Sequence, residues 1–296
     1  MKTRDFEPKI RPFLKVFEKL TGRQDAYTVF QDYTVMCLNY FGNGNFVAER
    51  DNAMKKYKPE EHKLFNELFT EMTMLMSREI TTDNSWYDPF GNFYQAITST
   101  WKSSAMGQFF TPETVVDFMV RIVHGEREGS KMHFTQSEPT AGSGRFIIAS
   151  HAYNPMGFYW AIDLDNMCAQ MTAINMALHN CCGVVLHANG LWEDKHFYRA
   201  YHIARIQLSE TEFVPCIYPI ATYEEAKGIM EKYKEFAHYH NLAYHFPEYI
   251  GTREPKVFNE EDVLDAVSEI QEVTPEIKQV VSQQIKNTNQ QLNLFD

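Results

Sequence analysis

The stretch SEPTAGSGRFIIAS, residues 137–150, decides the fold. Glu138 closes a short strand, KMHFTQSE (131–138), and Ala141, Gly142, Ser143 and Gly144 then turn the chain into an apolar helix, RFIIASHA (145–152). Glycines let a backbone approach a ligand closely, and the first amides of a helix offer hydrogen-bond donors. A dinucleotide site places G-x-G-x-x-G at such a turn, with a pyrophosphate against the helix. Here the spacing is shorter and an acid precedes the turn, which suits a ligand that brings a cationic amino group to the strand end. Taken alone, such a turn is more often a plain strand-to-helix connection.

The chain downstream adds to the ligand reading. GFYWAIDLD (157–165) reads as a second strand ending in Asp163 and Asp165, about twenty residues after the turn. An acid at that strand tip can accept hydrogen bonds from both hydroxyls of a ribose. The structural alternative is that either Asp caps the helix NMCAQMTAINMALHN (166–180), a role for which Asp165 is well placed. GVVLHANG (183–190) reads as a third strand ending at Asn189, whose amide can pair with an adenine edge. Acid, acid and amide in strand order describe a nucleoside site. With a cation at one end, the methionine portion of S-adenosylmethionine fits it.

Upstream, KIRPFLKVFEKL and EEHKLFNELFTEMTMLMSREI carry apolar residues at spacings of three and four, and residues 1–83 are expected to form a helical domain. Residues 84–250 are expected to form an α/β domain, with helix, short strand and Gly-rich turn in alternation. A linker in YIGTREPKVFNEED leads to a helical extension over 251–285, with Thr274 as N-cap and Pro275 at the first helical position, and a flexible tail over 286–296. No apolar run approaches the length of a membrane span, and the charged N-terminus MKTRDFEPKIRPF is no secretory signal. Five cysteines without a CxxC spacing fit a reduced, cytoplasmic chain with no zinc ribbon. The eleven histidines include His238, His240 and His245, but no acid is interleaved and no metal site is expected. Ser143 lacks G-x-S-x-G flanks, so it is not read as a nucleophile. The net charge of −11 argues against a protein that coats nucleic acid by itself, because such binding rests on Lys and Arg.

With these residues in hand, the chain resembles the N6-adenine DNA methyltransferase (modification) subunits of type I restriction systems. The matching parts are WYDPFGNFYQAI, GQFFTPETVVDFMVRIV, EPTAGSGRF, YWAIDLDNMCAQMTAINMALHN and HANGL, in family order over roughly residues 84–191. The resemblance implies a Rossmann-like sheet behind an N-terminal helical domain, S-adenosylmethionine as cofactor and DNA as substrate. It also implies a specificity subunit or a second methyltransferase subunit as partner. Gln108, Phe109, Thr111 and Pro112 would line the methionine end. Glu138, Pro139, Ala141, Gly142, Ser143 and Gly144 would form the methionine pocket, Asp163 with Leu164 would hold the ribose, and Asn189 would meet the adenine. The bland reading of TPETVVDF is an N-cap at Thr111 with Pro112 at the first helical position, and both readings can hold at once.

The resemblance breaks after Asn189. The family continues to a fourth strand ending in N-P-P-[FY], which accepts from the target amine and stacks on the flipped base. Residues 191–228 contain no Asn-Pro, and the near matches Asn154-Pro155-Met156 and Asp88-Pro89-Phe90 lie elsewhere in the order. FVPCIYPI (213–220) can form the next strand but ends in neither acid nor amide. No catalytic residue is therefore assigned, and methylation is expected to be absent or reduced. A last motif stands apart: Gln291, Leu292, Leu294 and Phe295 resemble the pentapeptide by which bacterial replication proteins dock on the sliding clamp. That suggests a non-enzymatic adaptor as the alternative function; a tail folded onto its own domain is the plain reading. Methylation of something other than a nucleobase is a third possibility.

Overall fold

The computed structural model describes residues 8–82, 84–100, 110–125, 133–192, 194–207 and 213–245. Met1–Tyr244 form one compact unit and His245–Asp296 a second; the architecture below is that of the first. Gln108, Phe109, the linker, the helical extension and the tail with Gln291, Leu292, Leu294 and Phe295 lie outside the described residues.

A 3-10 turn, Pro8–Ile10, leads into α1 (Arg11–Leu20), which carries Pro12 in its first turn, where no amide donor is needed. Phe13, Leu14, Val16, Phe17 and Leu20 put its apolar face inward. α2 (Ala26–Phe41) starts at Asp25, whose carboxylate accepts from the Thr28 amide at 3.0 Å. α3 (Val47–Met54), α4 (Pro59–Glu79) and α5 (Pro89–Thr100) complete this helical part. Aromatic pairs tie α5 to it: Phe93 stacks on Phe13 at 3.8 Å and Phe90 on Tyr33 at 5.7 Å between centroids.

α6 (Glu113–His124) precedes the sheet, whose elements follow as β1 (Phe134–Glu138), α7 (Arg145–Tyr153), β2 (Gly157–Asp163), α8 (Asn166–Leu178) and β3 (Cys182–Ala188). These three strands are parallel and adjacent in chain order, with Glu138 opposite Ala161 and Asp163 opposite His187. The chain then doubles back. β4 (Phe197–Gln207) runs antiparallel to β3, and β5 (Phe213–Ile220) antiparallel to β4, giving the order β1-β2-β3-β4-β5. α9 (Tyr223–His245) closes the described chain.

Side-chain parity sorts the two faces of the sheet. Phe158, Trp160 and Ile162 of β2 and Val184, Leu186 and Ala188 of β3 pack under Ala226 and Met230 of α9. Tyr159 and Ala161 of β2 and Val185 of β3 face the other way, into one continuous core with α7, α8 and the N-terminal helices. Both faces are covered, as parallel strands require, so β2 reads as an unbroken apolar run.

Two details differ from the sequence reading. FYRAYHIARIQ carries no strand in that reading, because Arg199, His202 and Arg205 interrupt its apolar pattern, yet it forms β4, which buries Ala200, Tyr201 and Ile203. Thr111 is not the N-cap of α6. The helix begins at Glu113 with Pro112 in the cap position and no side-chain cap, and the Thr111 carbonyl accepts from Arg145 instead. All five cysteines are free thiols, and no helix among the described residues is long and apolar enough to cross a membrane.

Candidate cofactor-binding site

The turn between β1 and α7 is held from several sides. Gly142 (φ +59°) and Gly144 (φ +87°) both adopt the left-handed backbone that β-carbons disfavour, and a Cβ on Gly144 would press on Thr172 at 3.1 Å. The Gly142 amide donates to Asp163 Oδ2 at 2.8 Å, and the Ala141 amide to the Ile162 carbonyl at 2.8 Å, so the turn is fastened to the tip of β2. From α8, Thr172 Oγ1 donates to the Gly142 carbonyl at 3.0 Å and Asn175 Nδ2 to the Ser143 carbonyl at 2.8 Å.

Asp88 stands behind the turn and is fully buried. Its carboxylate accepts from the Gly91 amide (2.7 Å), Ser143 Oγ (2.6 Å), Arg145 Nε (2.6 Å) and Asn175 Nδ2 (2.7 Å). Arg145 donates further to the Thr111 carbonyl (2.9 Å), Asn92 Oδ1 (2.7 Å) and Gln95 Oε1 (3.1 Å). A buried ion pair offsets its desolvation only when its remaining donors and acceptors are satisfied, as they are here. A Cβ at position 91 would overlap Asp88 Oδ2 and stand 2.6 Å from Ser143 Oγ, which explains the glycine. One network thus locks α5, the approach to α6, the turn and α8 together. Asp88 and Arg145 are the functional residues that the sequence reading missed. Its only local signal is the Asp-Pro-x-Gly cap, Asp88 followed by Pro89 and Gly91.

In front of the turn lies a cavity of about 400 Å³, lined by Phe110, Thr111, Met119, Glu138, Gly142 and Asp163 among others. That is a size suited to a small organic ligand. Burial pushes the Glu138 carboxyl above its ordinary pKa, against hydrogen bonds from Thr140 that lower it. Burial likewise raises Asp163, against the Asp165 and Gly142 amides that it accepts. Two partly desolvated carboxyls 25 residues apart in sequence, at the tips of neighbouring strands, form a site that a cation stabilises. Phe110, absent from the sequence reading, is the aromatic wall: its ring stands 3.0 Å from where a Gly142 Cβ would be, and Arg145 lies over it at 5.6 Å.

The structure brings Thr111, Glu138, Ala141, Gly142, Ser143 and Asp163 together around this cavity. Pro112, Pro139, Gly144 and Leu164 are not among its lining residues, although Gly144 shapes the turn and Leu164 is exposed beside Asp163. Asn189 stands apart, with its Oδ1 accepting from the Leu191 amide at 3.0 Å and capping the loop after β3. Asp165 caps α8, accepting from the Met167 and Cys168 amides at 2.7 and 3.1 Å.

The family model described as N-6 DNA Methylase matches residues 85–211. A type I restriction-modification system methyltransferase subunit from Streptococcus thermophilus, known from its crystal structure, is similar at 20% identity over 60% of this chain, with a TM-score of 0.33. The chain covers 38% of that subunit. No curated protein matches.

Proposed function

We propose, from the premise that residues 85–211 belong to the N-6 DNA methylase family, that this chain binds S-adenosylmethionine in front of the turn 141–144 and works on DNA within a complex. The observation that carries the reading is the pinning of the Gly142 amide on Asp163, with Glu138 beside it at the mouth of the cavity. The residues fit the cofactor. Asp163 uses one lone pair on each oxygen for the Gly142 and Asp165 amides, which leaves acceptor capacity for ribose hydroxyls. Glu138 faces the cationic methionine end, with Phe110 and Met119 as its apolar wall. Gln108, Phe109, Thr111 and Pro112 complete that end by family resemblance. Leu164, Leu191 and Trp192 are exposed apolar side chains at the ends of β2 and β3, suited to the flat faces of adenine. Asn189 meets the base only if it releases the Leu191 amide. When bound, the cofactor supplies a transferable methyl group; this chain holds and orients it. Such a protein works in the cytoplasm.

The other half of the reaction is missing from the chain. No Asn-Pro-Pro-aromatic segment is present to hold an adenine amine, and a net charge of −11 gives DNA little reason to approach without help. A specificity subunit or second methyltransferase subunit would supply both. The isolated protein, incubated with tritiated cofactor and mixed-sequence duplex DNA, is therefore expected to leave the DNA unlabelled. Recovery of labelled N6-methyladenine would show that another segment of this chain grips the base.

The tail supports a second reading, a non-enzymatic adaptor that docks on the sliding clamp through Gln291, Leu292, Leu294 and Phe295. A peptide covering 286–296 would then bind purified clamp with a dissociation constant on the order of micromolar, since ordering an extended segment offsets part of its apolar burial. Replacing Leu294 and Phe295 by Ala would abolish that binding; a peptide that never binds removes the adaptor reading.

A further inference from the structure

Among the described residues, the charged side chains that line the cavity before the turn are Glu138, Asp163 and Arg145. The cation is already engaged. Arg145 is buried, and four of its five N–H groups go to Asp88, the Thr111 carbonyl, Asn92 and Gln95. Its charge is matched by the Asp88 carboxylate at 2.6 Å. Glu138 and Asp163 have no Lys or Arg partner among the described residues; they accept from Thr140 and from the Gly142 and Asp165 amides. The lining thus presents two carboxyls without a counter-charge.

The groups around them do not supply one. His187 stands opposite Asp163 on β3, but burial keeps its pKa below the ordinary value and it does not line the cavity. Cys168 of α8 does line it, and burial raises its thiol, which therefore stays neutral. α6 contributes only Val116 and Met119. Asp165 adds a further acid nearby, already capping α8. A cavity of about 400 Å³ is small enough that a charge anywhere in it acts on both carboxyls with little screening by salt.

S-adenosylmethionine and its demethylated product share adenine, ribose, ammonium and carboxylate. They differ by the methyl group and by one positive charge, since a sulfonium that gives up its methyl keeps the bonding pair and becomes a neutral thioether. Whatever the shared groups contribute cancels between the two. We infer that Glu138 and Asp163 make this site select on charge, holding the methyl donor in preference to its neutral demethylated product. The inference rests on the cofactor reading and deepens it, because it says which of two nearly identical ligands the chain keeps. A chain without its own base clamp then stays loaded with donor while product accumulates.

Apolar burial of the methyl group also favours the donor, but that preference is the same at every pH. Charge gives one that is not. Burial raises the pKa of both carboxyls, so they lose their charge as pH falls through the range just above that of a free carboxyl.

Calorimetric titration of the full chain with each ligand in turn, from about pH 4 to 7, tests it. The donor is expected to bind at least tenfold tighter than the product at the upper end, about 1.4 kcal/mol, and the ratio should shrink as pH is lowered. Glu138→Gln keeps the shape and an acceptor oxygen but removes one charge. It should narrow the ratio at the upper end at least threefold, mostly by weakening the donor. Damage to the shape of the site would lower both affinities and leave the ratio alone, so the ratio separates charge from structure. Donor binding with a ratio flat in pH, a product held as tightly as the donor, or a ratio unchanged in Glu138→Gln overturns the inference and leaves the cofactor reading standing. If neither ligand binds, that reading fails and this inference fails with it.

Discussion

Asp88→Ala is expected to cost the fold about 3–5 kcal/mol, the range for removing one partner of a buried ion pair. The substitution leaves the Arg145 guanidinium in an interior from which Asp88 is fully excluded from solvent, and it strands the Ser143 hydroxyl, the Asn175 amide and the Gly91 N–H. For a compact unit of this size each kcal/mol moves the melting point by roughly 2–4 °C, so a drop of roughly 6–20 °C is the expected reading. Asp88→Asn should fall between wild type and Ala, because one amide oxygen still accepts while its NH2 faces donors. Adding Arg145→Leu to Asp88→Ala should restore part of the loss, since an apolar replacement of both partners leaves no buried charge. A thermal melt of Asp88→Ala within about 2 °C of wild type would remove Asp88 from the centre of this account.

Asp163→Ala should weaken S-adenosylmethionine binding at least tenfold. Two interactions go at once: acceptance from the ribose, with charge-assisted bonds of about 1.5–3 kcal/mol each, and the anchor that holds the Gly142 amide. The pH dependence follows from burial. Glu138 and Asp163 both have raised pKa values, so each keeps its proton to a higher pH than a free carboxyl does. A cationic ligand prefers both ionised, and affinity should therefore rise with pH from the ordinary carboxylate range upward until both have ionised. For stability the sign is opposite: the folded state binds more protons in that window, so these two groups make the fold less stable as pH rises through it. Affinity that is flat from about pH 4 to 7 would remove Glu138 and Asp163 from the site.

How much of this was legible follows from the range of the interactions. The turn 141–144 is announced by its glycines, β2 by its apolar run and the start of α8 by Asp165, so local pattern suffices to read them even though distant residues hold the turn in place. Asp88 joins partners 55, 57 and 87 residues away, and in sequence it is only one acid before a proline. Arg145 looks like a solvated charge at a helix start, yet its side chain is 8% exposed. β4 was hidden because Arg199 and Arg205 lie at positions of an otherwise alternating strand. α6 shows the limit from the other direction: the sequence reading is silent on Val115, Phe118 and Ile122, and the structure shows them exposed.

The central claim is that the cavity before Gly142 and Asp163 is a cofactor site, and calorimetric titration of the purified full chain with S-adenosylmethionine tests it most directly. One saturable binding event per chain is expected, weakened at least tenfold by Asp163→Ala. No heat and no saturation at millimolar ligand, in protein that melts cooperatively, would contradict it.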